Sequence, residues 1–233
     1  MVELNVKILT LGDTEVGKTS IIKRIISNKF EDKTLSTFGI DYSCKTIKYG
    51  DNYLKIFLWD TAGQEKFKNI VKNYFNGANG ALLCFDISNR KSFEKINFWI
   101  NELKEIINID EIFMILIGNK IDKEKERKIS IEESIKFSKE KNIPYFEISA
   151  KTNEGIEEMF DYVIKKCKQF VNEQNFNIFS STIILNNFKN FDTKVDNKKK
   201  NVVKNILFNL NYLYIIIFSI KLIFYITILF LNK

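Results

Sequence analysis

Histidine is missing from all 233 residues, and cysteine occurs only three times. The first absence removes Ser-His-Asp triads, Cys-His nucleophiles and imidazole-based metal sites. The second bears on compartment, because Cys44, Cys84 and Cys167 are odd in number, widely spaced and set in apolar patterns. They offer neither a disulfide framework nor a CxxC metal pair, so a reducing compartment is expected. No secretory signal opens the chain, since "MVELNVKILT" leads straight into a strand pattern. Nor is there a basic stripe interleaved with stacking aromatics, although the net charge is +7. The lysines are spread over loops and the distal third, and a run such as "KEKERK" (Lys123 to Lys128) reads as solvated surface. No nucleic-acid partner is expected.

What remains is 45% hydrophobic, enough for a substantial core in one domain with an appendage. "NVKILTLG" (Asn5 to Gly12) reads as a buried strand, followed by a glycine loop and a helix to about Asn28. "DYSCKTIKYGDNYLKIFLWD" gives two strand patterns joined around Gly50-Asp51, a hairpin signal. "GALLCFDI" (Gly80 to Ile87), "IFMILIGN" (Ile112 to Asn119) and the shorter "YFEIS" (Tyr145 to Ser149) are continuous apolar runs, as in strands buried on both faces. Helical patterns lie between them. "SFEKINFWINELKEI" places Phe93, Ile96, Trp99, Ile100 and Leu103 on one face. "SIEESIKFSKEK" opens with a capping box at Ser130 and Glu133. "GIEEMFDYVIKKCKQFV" aligns Ile156, Met159, Phe160, Val163, Ile164 and Cys167. The alternation predicts a doubly wound α/β fold: a six-stranded, mostly parallel sheet with one antiparallel edge strand and helices on both faces. In such sheets ligands bind outside the carboxyl ends of the strands. Every motif below falls at such an end, and the domain closes near Gln174.

"GDTEVGKT" (Gly12 to Thr19) has the spacing of a phosphate-binding loop. Its glycines let backbone N–H groups turn inward, Lys18 reaches the terminal phosphates, and Thr19 offers a hydroxyl to Mg²⁺. Such a loop does not choose between ATP and GTP. "NKID" (Asn119 to Asp122) does, because the Asp122 carboxylate can accept from both the N1–H and the 2-amino group of guanine. Adenine would leave that carboxylate unpaired, at a cost of about 1–3 kcal/mol. Asn119 can tie this loop to the phosphate loop, and the stem of Lys120 can cover the base. "ISAK" (Ile148 to Lys151), one strand later, can offer the Ala150 N–H to the guanine oxygen. In "WDTAGQE" (Trp59 to Glu65), Asp60 can hold the Mg²⁺ shell, the Gly63 N–H can sense the γ-phosphate, and Gln64 can orient an attacking water. Thr37 can complete the metal shell while a triphosphate is bound.

Residues 4 to 172 resemble the Ras-like small GTPases, most closely the Rab family. The resemblance rests on "STFGIDY" (Ser36 to Tyr42), "WDTAGQEKF", "NYFNGANGALLCFDI" and the lack of an inserted helix after Asp122. It implies the P-loop NTPase small-GTPase fold, with Gln64, Lys18 and Thr37 as catalytic residues and Thr19, Thr37 and Asp60 around Mg²⁺. It further implies GTP or GDP held by Asp13, Thr14, Glu15, Val16, Gly17, Lys18, Thr19, Ser20, Phe30, Thr37, Gly63, Asn119, Lys120, Asp122, Ser149, Ala150 and Lys151. For Phe30 a plain core role after the first helix stays open beside packing on guanine. Glu15 stands where the family often has glycine, Thr34 where it often has tyrosine, and Lys66 where it often has arginine. A charge at Glu15 matters little to the triphosphate if the side chain faces solvent.

No arginine finger is evident, and one supplied by a partner would be worth about 10³ to 10⁵ in rate, so slow intrinsic turnover is expected. The resemblance implies a monomeric switch in vesicle traffic. Its exchange factor, GTPase activator and effectors would read Phe38 to Tyr42 and Trp59, on the cytoplasmic face of an endomembrane compartment. Two alternatives remain open: a guanine-nucleotide-binding adaptor that does not hydrolyse, and an ATP-using P-loop enzyme.

From about Phe176 the composition shifts to asparagine, lysine, phenylalanine and isoleucine. Residues 175–205 read as a flexible linker containing "NKKK" (Asn197 to Lys200), and 206–233 as a hydrophobic tail. Tyr212 to Leu231 would span about 30 Å as a helix, matching a bilayer core. Lys221, near its middle, costs about 3 kcal/mol there, and the fourteen Ile, Leu and Phe residues outweigh it. Rab proteins resemble one another in ending with prenylated cysteines, whereas no cysteine follows Cys167 here. Either a helix takes the place of the lipid or this stretch is not native protein; membrane association is expected in both cases.

Overall fold

A computed structural model describes residues 3–32, 37, 40–61 and 74–173. The first strand, β1 (Glu3–Leu11), is buried on both sides, with Val6 and Ile8 facing one core and Leu9 and Leu11 the other. Helix α1 (Lys18–Ser27) follows, burying Ile21, Ile22 and Ile25. Strands β2 (Ile40–Tyr49) and β3 (Asn52–Thr61) form the expected hairpin. Its turn is closed by Tyr49 opposite Asn52, with Gly50 at φ +58°, a value that favours glycine. Next come β4 (Gly80–Asp86), α2 (Arg90–Glu94), α3 (Ile96–Lys104) and β5 (Phe113–Asn119). A short 3₁₀ turn (Ile121–Glu126), α4 (Ile131–Lys141), β6 (Tyr145–Ile148) and a last helix, α5 (156–173), complete the order.

The sheet runs β2-β3-β1-β4-β5-β6. Only the β2–β3 pair is antiparallel, so β2 is the antiparallel edge strand. Strand direction therefore brings the carboxyl ends of β1, β3, β4, β5 and β6 to one edge. One face packs on α1 and α5 through Ile21, Ile25, Ile156, Met159, Val163 and Cys167. The other packs on α2 and α3 through Phe93, Ile96, Trp99, Ile100 and Leu103, with Phe137 of α4 beside them. Burying each such side chain is worth about 1.5–3 kcal/mol, so both helical layers are held by the sheet rather than by propensity.

The single helix expected over 92–106 is divided at Lys95, whose ψ of −9° departs from helical geometry. Its amide still donates to the Lys91 carbonyl at 3.1 Å and its carbonyl accepts from Trp99 at 3.2 Å, so the apolar face continues across the break. Half of the expected capping box forms: the Glu133 N–H donates to Ser130 Oγ at 3.1 Å, while the Glu133 carboxylate pairs with Arg90. All three cysteines are free, Cys44 exposed and the others buried. Burial pushes the Cys84 thiol up to about 12, which leaves it protonated and inert at neutral pH. Among the described residues no helix is long and apolar enough to cross a membrane. The candidate span 212–231, with the linker before it, lies outside them.

Candidate nucleotide site

The loop between β1 and α1 is folded by two close approaches. Gly12 has φ +149°, and a Cβ there would lie 2.2 Å from the carbonyl oxygen of Cys84. Gly17 has φ +96°, and a Cβ there would lie 2.3 Å from Asn119 Nδ2. Neither position admits a side chain, so the loop presses against the ends of β4 and β5. Lys18 is buried and donates from Nζ to the carbonyls of Gly12 at 3.0 Å and Asp13 at 2.9 Å. Burial holds its ammonium below the usual lysine range, against the carboxylates of Asp60 and Asp13, which favour the charge. Asp13 accepts from the Thr14 N–H and pairs with Lys95 at 2.9 Å. Val16 is buried, and Ser20 lies half-buried in the first turn of α1. Glu15 is exposed at φ +62°, so water screens its carboxylate.

Thr19, Thr37 and Asp60 meet although they lie far apart in the chain. Thr19 Oγ1 donates to Asp60 Oδ2 at 2.5 Å, Thr37 Oγ1 lies 3.3 Å from the same oxygen, and the two hydroxyls are 2.8 Å apart. The other carboxylate oxygen, Asp60 Oδ1, is buried without a hydrogen-bond partner. Burial raises the Asp60 pKa, opposed by the Thr19 hydrogen bond and the Lys18 charge. A buried acceptor in that condition costs about 1–3 kcal/mol, so the local structure favours a cation at this point. Two hydroxyls and one carboxylate form the hard, all-oxygen set that suits Mg²⁺, which keeps the rest of its shell for water and phosphate.

The loops expected to read the base are joined to the loop between β1 and α1 by neighbouring side chains. Asn119 Nδ2 donates to the Val16 carbonyl at 2.8 Å, and Lys120 Nζ donates to the Glu15 carbonyl at 2.6 Å. Asp86 holds Lys120 from the other side at 2.8 Å. Burial would raise the Asp86 pKa, but the bonds from Lys120 and Ser88 outweigh it and hold the carboxyl below its usual range. Asp122 is exposed, and the buried Ser149 donates to its Oδ1 at 2.6 Å. The Ala150 N–H, expected to face a guanine oxygen, donates to Asn119 Oδ1 at 3.1 Å. A base oxygen would thus share this donor in a three-centre bond. Phe30 is half-buried against the core that α1 and α5 share.

Gly63 and Gln64 lie outside the described residues, as do Phe38, Thr34 and Lys66. Trp59 does not, and it stacks on the exposed Tyr42 with ring centroids 5.4 Å apart and meets Tyr74 at 5.5 Å. Lys7 Nζ sits 4.4 Å from the Trp59 ring centroid. An open cleft of about 790 Å³ lies at the opposite end of the sheet, lined by Ile112, Phe113, Lys139, Pro144 and Phe170 among others. None of the expected site residues lines it.

Sequence reasoning missed Arg24, Asp86, Arg127 and Glu147. Arg24 donates from Nε to the Ala150 carbonyl and from Nη2 to the Lys151 carbonyl, both at 2.9 Å. Arg127, expected to be solvated with its "KEKERK" run, is instead largely buried. It forms a two-pronged pair with Glu147 at 2.8 and 3.0 Å, and Tyr145 donates to the same carboxylate at 2.6 Å. The rest of that run is exposed as expected.

A model of the Ras family matches residues 7–169. The chain is similar to Ras-related protein Rab-18 of Lymnaea stagnalis, 36% identical over 163 residues, or 70% of this chain and 80% of that protein. It is also similar to Ras-related protein Rab-18-B of Danio rerio, 36% identical over 163 residues, covering 70% and 79% respectively. Ras-related protein Rab-21 of Homo sapiens is 38% identical over 165 residues, covering 71% and 72%. With the loop after β1, the oxygen cluster and the loops after β5 and β6 gathered at one sheet edge, the chain belongs to the Ras family, as a small GTPase of the Rab type.

Proposed function

We propose that this pocket holds Mg²⁺ with GTP or GDP, and that the protein is a timed switch on the cytoplasmic face of an endomembrane compartment. The Rab-type family makes it a GTP-binding and GTP-hydrolysing switch in vesicle traffic. One observation supports the assignment of residues: three oxygens from positions 19, 37 and 60 converge beside a buried carboxylate oxygen that lacks a partner. Magnesium, when bound, supplies positive charge to the phosphates. Thr19, Thr37 and Asp60 hold it, while Lys18 exchanges the carbonyls of Gly12 and Asp13 for phosphate oxygens. The backbone N–H groups from Asp13 to Ser20 line the phosphates. Asp122 reads the guanine edge, braced by Ser149, with the Lys120 stem over one side of the base and Phe30 against the ribose and base on the other.

Gln64 orients the water in line with the γ-phosphorus, and the Gly63 N–H and Thr37 hold both switch segments while that phosphate is present. Regulators and effectors then read Phe38 to Tyr42 and Trp59 on a monomeric domain spanning 1–174. Residues 175–205 serve as linker, and 206–233 attach the domain to the membrane. The test is base specificity. Asp122→Asn should exchange guanine for xanthine nucleotides, measured by competition against a fluorescent GDP. In parallel, Gln64→Leu should abolish phosphate release stimulated by a matching GTPase activator. Wild-type protein without affinity for GDP in magnesium would overturn the assignment.

A further inference from the structure

The geometry points to Arg24 as a positioning residue for guanine recognition, acting from α1 through the backbone of residues 150 and 151. This inference rests on the base-reading role assigned to Asp122 and the loop after β6, with Asn119 as the tie between that loop and the one after β1. Arg24 stands in the last turn of α1, six residues beyond Lys18. Three nitrogens of its guanidinium are engaged. Nε donates to the Ala150 carbonyl and Nη2 to the Lys151 carbonyl, each at 2.9 Å. Nη1 donates to the carbonyl of Asn28 at 2.9 Å and to its Oδ1 at 3.2 Å. Asn28 is the left-handed cap of the same helix, and its N–H closes back on the Arg24 carbonyl at 3.0 Å. The planar fork is thus fixed to α1 at one end and to two successive carbonyls at the other.

Those two carbonyls belong to the segment on which base reading depends. Ser149, immediately before them, donates to Asp122 Oδ1, and the Ala150 N–H donates to Asn119 Oδ1. Holding the carbonyls of 150 and 151 therefore fixes the orientation of Asp122, which reads the base, and of Asn119, which ties the loops together. It also ties them to α1, whose first residue is Lys18. Phosphate and base recognition are joined by Asn119 near the pocket and by Arg24 behind it. A lysine cannot do the same, since one ammonium lacks the rigid fork that meets two adjacent carbonyls.

The experiment compares full-length wild type, Arg24→Met and Arg24→Lys, each loaded with fluorescent GDP in magnesium. Dissociation rates are read, together with the affinities of GDP and ADP by competition. Loss of about one or two hydrogen bonds to the loop should raise the GDP dissociation rate about tenfold in Arg24→Met. Arg24→Lys should fall between the two, and if Arg24→Met does not fold, Arg24→Lys alone should still raise the rate threefold or more. The ratio of GDP to ADP affinity should fall in step, because ADP makes no use of the aligned Asp122. An unchanged dissociation rate overturns the proposal. So does a faster rate with the GDP-to-ADP ratio preserved, since a loosened α1 would weaken phosphate binding for both nucleotides alike. Wild type that fails to retain GDP would overturn the base-reading assignment and the clamp with it. Wild type that retains GDP beside an Arg24→Met that retains it equally overturns the clamp alone.

Discussion

Glu15 occupies a position where its backbone, at φ +62°, would suit glycine better. A side chain in the left-handed region costs about 1–2 kcal/mol, and replacing it with glycine returns part of that as unfolded-state entropy. Glu15→Gly should therefore stabilise the protein by about 0.5–1 kcal/mol, read as a melting temperature higher by about 1–4 °C. A lower melting temperature would mean that the Glu15 side chain holds contacts beyond its backbone bond to Lys120. Asp86 gives a different residue-scale expectation, this time in pH. Its carboxyl is buried, and the bonds from Lys120 and Ser88 hold its pKa below the ordinary 3.8. A carboxyl lowered on folding contributes stability that is fully present above the unfolded pKa and lost as pH falls through the folded one. The stability of wild type relative to Asp86→Asn should be greatest and flat from neutral pH down to about 5, then shrink below about 4. Paired urea titrations across that range measure it, and a difference that stays constant to pH 3 would contradict the lowered pKa.

At the scale of elements, the decisive contact is the one between the phosphate loop and the end of β5. Gly17 lets Asn119 approach so closely that its amide bridges Val16 and Ala150, residues on two different loops. Gly17→Ala places a methyl 2.3 Å from Asn119 Nδ2 and forces that side chain out. Two bridging hydrogen bonds go with it, so GDP affinity should fall about 100-fold in equilibrium titration. A loss under threefold would show that the bridge does not shape the pocket. The same contact explains what could be read from the sequence and what could not. Continuous apolar runs such as "GALLCFDI" announced their strands, and Gly50-Asp51 its hairpin, because burial and turn geometry act on neighbouring residues. That "GDTEVGKT" and "NKID" lie at strand ends on one sheet edge was legible for the same reason, each motif being contiguous. Arg24 was not, since the carbonyls that it holds lie 126 and 127 positions away. Arg127 was read as solvated for the same cause: its charge partner, Glu147, is supplied by a strand 20 residues on. The break at Lys95 left no trace either, because apolar spacing survives a change in one ψ angle.

For the whole molecule, the pocket is an assembly rather than a property of any one loop. Its donors come from the ends of β1, β3, β5 and β6 and from α1, so it exists only when the sheet is folded. A ligand that binds the folded pocket and not the unfolded chain must therefore raise global stability. With free GDP and magnesium at about a thousand times Kd, the gain is about 4 kcal/mol. A domain of about 150–250 residues gains about 2–4 °C in melting temperature per kcal/mol, which amounts to about 8–16 °C here. ADP at the same concentration should give a smaller rise, because a nucleotide that leaves Asp122 unpaired forgoes about 1–3 kcal/mol of that gain, or about 2–12 °C. Chelating magnesium should remove most of the GDP-induced rise, since Asp60 and the phosphates then face each other without a cation between them. Differential scanning calorimetry on the full chain, with each nucleotide in magnesium and in chelator, reads all four conditions. Equal rises from ADP and GDP would mean that Asp122 does not select the base. A rise that survives chelation undiminished would mean that Thr19 and Asp60 do not hold the metal.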